Sequence, residues 1–296
     1  MSPADTVMAS QRRDTPRRRP LRGQVPARFL RSELGMIFRR RRNIAILTVL
    51  ALIPVVIAIA VKLTSHNGRG EGDGGALFNN ITDNGVFVAL ATMLVVLPLF
   101  LPMAVSVVSG ETISGEANTG TLRYLLTVPV GRTRLLANKY LGLLVWSFAC
   151  TLVVAISGTI IGLIVFGGGD IITLSGTTAS FGNGLYRLFL VVCYVTLMVA
   201  AVAAIGLFVS TLTEVPIAAM ATTLALTITS QVLDAVPQLH VIHGWLPSHY
   251  WLRFSDLLRD PIQFDRIQQG ILVSLAYIAG CLLLAWARFS NKDVTS

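Results

Sequence analysis

A chain of 296 residues that is 53% hydrophobic and only 13% charged, with a mean hydropathy of +0.68, is too apolar for an ordinary soluble domain, where charged residues make up roughly a quarter. The formal charge of +9 and pI near 10.1 would suit a nucleic-acid binder, but the basic residues crowd one end and no aromatic platform accompanies them, which argues against that class. Cys150, Cys193 and Cys281 each lie alone in a long apolar run, so neither a disulfide framework nor a paired zinc set is available.

Residues 1–25 combine Pro, Arg and Ser with almost no apolar content. Such a segment cannot bury enough surface to offset its ordering entropy, and it reads as a disordered basic cytoplasmic tail whose arginines touch anionic lipid headgroups. Across 26–43 the pattern changes. Phe29, Leu30, Leu34, Ile37 and Phe38 recur at helical spacing while Arg28, Arg31, Glu33 and Arg39 take other positions, which predicts an amphipathic helix lying on the inner leaflet.

Crossing roughly 30 Å of hydrocarbon takes about twenty apolar residues in a helix. Six stretches meet that length: 44–63, 86–108, 140–166, 185–212, 215–236 and 267–287. They predict an all-α integral membrane protein of six transmembrane helices, with a spanning domain over 44–290 and a short cytoplasmic tail over 291–296. Orientation follows from Lys and Arg. With the N-terminus inside, all but Lys62, Arg69, Arg187, Arg253, Arg259 and Arg266 of the 24 basic residues fall on the cytoplasmic side. Both termini are therefore expected in the cytoplasm.

The loops differ in character. Segments 64–85 and 167–184 are rich in Gly, Ser and Thr and read as connectors. Segment 109–139, SGETISGEANTGTLRYLLTVPVGRTRLLANK, is long and mixed in charge, with Leu122, Leu125 and Leu126 beside Arg123. By pattern alone it fits either a cap over two helices or a surface presented to a partner. The run from Gly115 to Thr121 has the glycine spacing of a phosphate-binding loop, but it lacks the lysine that such a loop needs and the chain has no room for the surrounding α/β domain. No nucleotide cofactor is expected in this chain.

Glu116, Gly120-Thr121, Leu125-Leu126, Pro129, Arg132 and Lys139 together resemble the loop pattern of ABC-2 type permeases. The resemblance implies a membrane subunit of a bacterial ABC exporter in the plasma membrane, with no ATPase site of its own. It also implies a cytoplasmic coupling loop that docks into a separate ATP-binding subunit, which would hold ATP and Mg. Glu116, Gly120, Thr121 and Arg123 would contact or support that docking. A second permease copy or paralogue is implied as partner, and segment 237–266 would form short extracellular helices before the last span.

Pro98 and Pro102 fall inside the second span, where each removes a backbone hydrogen bond, so a kink and a moving part are expected there. His240, His243 and His249 share segment 237–266 with Trp245, Tyr250 and Trp251. Their spacing matches no strong metal signature and offers no close carboxylate, so no metal site is expected and the aromatics read as an interfacial belt. Glu214, Pro216 and Asp234 read as helix-end residues. No HExxH or GxSxG motif occurs, which argues against an intramembrane enzyme. The spans lack a charged pathway, which favours a small amphiphilic molecule, drug or lipid-like cargo. The alternative is a secondary transporter driven by an ion gradient.

Overall fold

The computed structural model describes residues 25–66, 85–120, 132–169, 171–172, 178–262 and 264–291. The predicted basic tail and most of the first connector lie outside them. Nine α-helices are described: α1 (Val25–Arg39), α2 (Arg41–His66), α3 (Val86–Val96), α4 (Phe100–Asn118), α5 (Arg132–Phe166), α6 (Phe181–Leu212), α7 (Pro216–Asp234), α8 (His240–His243) and α9 (Phe264–Asn291). Two 3-10 segments, Pro237–Leu239 and Pro247–Leu258, flank α8. A two-residue antiparallel pair, Ile171–Ile172 with Thr178–Ala179, lies between α5 and α6.

Five helices, α2, α5, α6, α7 and α9, are long and apolar enough to cross a membrane. A sixth crossing follows if α3 and α4, bent by 60° at residues 97–99, are one broken span. The protein is thus a multi-pass helical membrane protein. Most of its helices run past one or both ends of the apolar stretches that announced them, whereas α7 falls within its stretch. At 35 residues, α5 is about 52 Å long, so part of it stands clear of the hydrocarbon.

Helix α6 is the centre. Its most apolar window is 72% buried, against 17% for α2, α7 and α9. The sequence from Val199 to Gly206 explains this, because Ala200, Ala201, Ala203, Ala204 and Gly206 let neighbouring backbones approach closely. In lipid, where apolar side chains gain nothing by leaving water, such close packing drives helix association. A methyl group on Gly206 would strike Ser109 of α4, and one on Gly110 would strike the backbone at Met220 of α7. Helices α3 and α5 use the same device at four-residue spacing: Gly162 meets Gly85, and Gly158 meets Ala89. The outward faces carry Leu52, Val56, Ile164, Ile217 and Leu283, as lipid requires.

Several hydroxyls within the bundle are satisfied by their own helix, although Ser106 Oγ and Thr196 Oγ1 are buried without a hydrogen-bond partner among the described residues. The hydroxyls of Thr92, Ser147, Thr151, Thr223 and Thr227 each donate to the carbonyl four residues earlier, the pairing that hydroxyl side chains use inside helices. Trp146 Nε1–H donates to the Ala104 carbonyl, pinning α5 to α4.

Candidate functional site

Helix α1 lies across the bundle end formed by the start of α2, the end of α4 and the start of α5. Its packing face carries Leu30, Leu34, Ile37 and Phe38; Phe38 meets Trp146 edge-on with ring centroids 5.5 Å apart. Glu33 is on this buried face and not among the solvent-facing charges, because it stands one turn from both Leu30 and Ile37. It is 7% exposed. The chain then breaks at Arg40, where buried Asn43 donates through Nδ2 to the Ile37 carbonyl at 2.8 Å and fixes the corner between α1 and α2.

Charge opposes charge at two points here. Lys139 of α5, 2% exposed, places Nζ 2.9 Å from Glu33 Oε1 and 2.7 Å from Glu116 Oε1. Three separate helices, α1, α4 and α5, therefore meet on one ammonium. A buried lysine of this kind is tolerable only because anions surround it. The second point is Glu111 of α4, whose carboxylate accepts from Arg42 through both guanidinium nitrogens at 2.6 and 2.5 Å. Arg40 donates to the same carboxylate at 2.5 Å. The forked geometry of the Arg42 contact holds the start of α2 against α4 in one orientation. Between the two clusters is a cavity of about 330 Å³, lined by Glu33, Arg40, Asn43, Glu111, Glu116 and Lys139 among others.

Of the residues expected to serve coupling, Glu116 is in this network and Gly120 closes the helix that carries it. Gly120 has φ of 69°, the left-handed conformation that glycine adopts at helix ends without steric cost. Its N–H donates to the Ala117 carbonyl at 3.1 Å, and Thr119 N–H donates to the Gly115 carbonyl at 3.2 Å. Residues 109–118, expected in a loop, are thus the last turns of α4. Thr121 and Arg123, with the leucine stripe, lie outside the described residues. The network's other members, Glu33 and Glu111, were not singled out from the sequence. The signal for Glu33 was its place on the apolar stripe of α1.

On either side of Glu111 in sequence, α6 reaches into α4. Ser210 Oγ donates to the Gly110 carbonyl at 2.8 Å and accepts from the amides of Ile113 and Ser114 at 3.0 and 2.9 Å. Farther along, Pro98 is in the three-residue break between α3 and α4, whereas Pro102 occupies the first turn of α4. Pro102 has no N–H to give the carbonyl four residues back, which is that of Pro98. Gln231 of α7 supplies the donor instead, with Nε2 2.7 Å from the Pro98 oxygen. The break is thereby tied to α7.

At the opposite end of the bundle two of the three histidines of segment 237–266, His243 and His249, do have a carboxylate at hand. Asp234 Oδ1 is 2.7 Å from His249 Nδ1, so the premise that no acid completes a set does not hold in the folded chain. Trp251 is buried and Trp245 exposed, so the aromatics of this segment divide between core and surface and form no single belt.

Comparison with curated proteins gives no match. Residues 29–243 match the family model described as ABC-2 family transporter protein. That span takes in most of α1, the bent pair α3–α4, the charged network and the whole of α5, α6 and α7, and the chain belongs to the ABC-2 transporter family, as an ABC transporter permease.

Proposed function

We propose that the chain is the membrane-spanning subunit of an ATP-driven exporter in a bacterial plasma membrane, with both termini in the cytoplasm. It works with a separate ATP-binding subunit that holds ATP and Mg. A second copy of this chain, or a paralogue, completes the pathway, and the cargo is a small amphiphilic molecule, drug or lipid-like compound.

The observation that carries this reading is the Glu33–Lys139–Glu116 network. Segment 119–131 connects α4 to α5, and in the family it is the loop that meets the ATP-binding partner. A push on that segment reaches Glu116 within one turn and Lys139 within two. Because Lys139 is paired with both Glu116 and Glu33, the push moves α1, α4 and α5 together and not one helix alone. Packed elements with discrete arrangements transmit such shifts as rigid-body motion. The orientation rests on the arginines and lysines gathered at this end, and the cargo class rests on spans without a charged pathway.

The test is purification of the tagged chain from its native membrane in mild detergent, followed by an ATP hydrolysis assay. Stoichiometric recovery of an ATP-binding subunit with hydrolysis stimulated by amphiphilic compounds is the expected result. Repeated recovery of the chain alone, without hydrolysis, would overturn the reading in favour of ion-driven transport.

A further inference from the structure

We propose that Asp234, His243 and His249 form a binding site for a divalent transition-metal cation of the zinc class. One ligand atom from each residue lies within 4.8 Å of the other two. Asp234 is the last residue of α7, His243 the last of α8, and His249 belongs to the 3-10 segment that follows. The site thus joins three pieces of chain that no continuous helix connects. It is independent of the cargo and of the ATPase reading.

The orientation of His243 is the observation that separates this cluster from a chance meeting. Its Nε2 is 3.1 Å from the Val236 carbonyl. A carbonyl oxygen only accepts, so Nε2 carries the proton, and in the neutral ring Nδ1 keeps its lone pair. That Nδ1 faces Asp234 Oδ1 at 4.0 Å, too far for a hydrogen bond. Metal-binding imidazoles are held in this way, with the other nitrogen donating to a backbone carbonyl that fixes tautomer and ring direction. His249 Nδ1 is 2.7 Å from the same carboxylate oxygen, and the two imidazoles are tilted against each other, with centroids 5.7 Å apart and planes at 32°.

Tetrahedral zinc bound at about 2.0–2.2 Å needs its ligand atoms about 3.3 Å apart. The observed separations of 2.7 and 4.0 Å bracket that value, so small side-chain rotations bring the three atoms onto one ion. The proton that His249 now shares with Asp234 moves through solvent to Nε2 when Nδ1 takes the metal. Two imidazoles and one carboxylate suit zinc and neighbouring ions better than calcium or magnesium, which prefer all-oxygen sets. The three side chains are half-buried, with exposures of 17% for His243 and 26% for the other two, so an ion and a completing water can enter.

Titration of the full-length chain, purified in detergent with a histidine-free tag, tests this directly. Cobalt(II) is the probe, read by its visible absorption, with zinc as competitor. The expected result is one cobalt per chain displaced by zinc, without the thiolate band that Cys193 would produce. Asp234→Asn and His243→Ala should each weaken binding by more than the about 10–100-fold that loss of an outer-shell partner costs. His240→Ala should leave it unchanged. Zinc should also raise the melting temperature of the wild-type chain and not that of His249→Gln. Absence of saturable binding by the wild-type chain would overturn the proposal, as would binding that survives all three ligand substitutions.

Discussion

Lys139 and Glu116 are 23 positions apart in the chain, at opposite ends of the connection between α4 and α5, yet Nζ and Oε1 are 2.7 Å apart. The connection is thereby closed at its base by an ion pair, and Glu33 extends the closure to α1. Removing one partner of a buried pair is costly because the other charge is left without compensation, by about 3–5 kcal/mol. Lys139→Met strands two carboxylates at once, so its thermal unfolding in detergent should fall by at least that range. Adding Glu33→Gln and Glu116→Gln to it should restore most of the loss, since no buried charge of this network then remains. A single Lys139→Met variant as stable as the wild type would show that the lysine is not buried against these acids in solution.

Coupling is separable from membrane insertion at Glu116 and Gly120. Glu116→Arg sets a second cation against Lys139 and should abolish stimulation of ATP hydrolysis in the assembled complex while membrane insertion persists. At Gly120 the conformation matters more than the space, because nothing lies within 4 Å of a built Cβ. A left-handed residue with a side chain costs roughly 1–2 kcal/mol, less for Asn. Gly120→Ala should therefore impair coupling more than Gly120→Asn, measured as cargo-stimulated ATPase activity. Equal activity of the two would remove the helix-end argument.

The bend between α3 and α4 depends on a donor from another helix. Gln231→Leu keeps the volume near constant but leaves the Pro98 carbonyl without that partner. A polar group left unsatisfied costs about 1–3 kcal/mol, and the melting temperature should drop accordingly. Transport, if the bend moves during the cycle, should change by more than the stability loss explains. Replacing Pro102 by Ala returns an N–H to the Pro98 carbonyl, so Pro102→Ala combined with Gln231→Leu should recover stability relative to Gln231→Leu alone.

Much of this fold was legible before any coordinates, because membrane crossing is a matter of length and apolarity. Five of the six stretches appear as helices long and apolar enough to cross a membrane, the second as a bent pair that runs ten residues past its apolar part, and the third starts eight residues early. Less legible was everything that depends on which side of a helix meets which neighbour. The turns from Ser109 to Asn118 carry Glu111 and Glu116 and read as loop, since charge ends an apolar run even when the helix continues. Gly120 is the actual stop. Glu33 looked like a surface charge because its partner is 106 positions away. Asp234 was assigned to a helix end, which is correct, but its proximity to His249 follows only from the path of residues 235–248 back over the end of α7.

Close packing of α3 on α5 gives a further expectation. Gly85 and Gly162 touch backbone to backbone, and Gly85 N–H donates to the Gly167 carbonyl at 3.2 Å. Gly162→Val forces the helices apart, with an overpacking cost of typically about 1–3 kcal/mol. Gly168→Val offers a milder control, since its built Cβ meets only the tip of Leu163 at 3.3 Å. Thermal unfolding of the two variants should differ in that order; the reverse order would mean that the helices are not in backbone contact.

Ser210 provides the most economical test of how α6 and α4 are joined. Its hydroxyl is 1% exposed by residue and engages one carbonyl and two amides of α4 at Gly110, Ile113 and Ser114. A side chain inserted into a helical ladder is one of the known causes of a local bend, and here the insertion spans Glu111 and ends two residues before Glu116. Ser210→Ala removes a donor and an acceptor together, with an expected loss of about 1–3 kcal/mol, while Ser210→Thr keeps the hydroxyl but adds a methyl group beside Gly110. If α6 only holds α4 in place, Ser210→Ala should lower the melting temperature and leave the ATPase stimulation of the surviving complex intact. If α6 also sets the position of Glu111 and Glu116, stimulation should fall at temperatures where the variant is fully folded. The network geometry favours the second outcome, because Ile113 and Ser114 lie between those two acids and their amides are the groups that Ser210 holds.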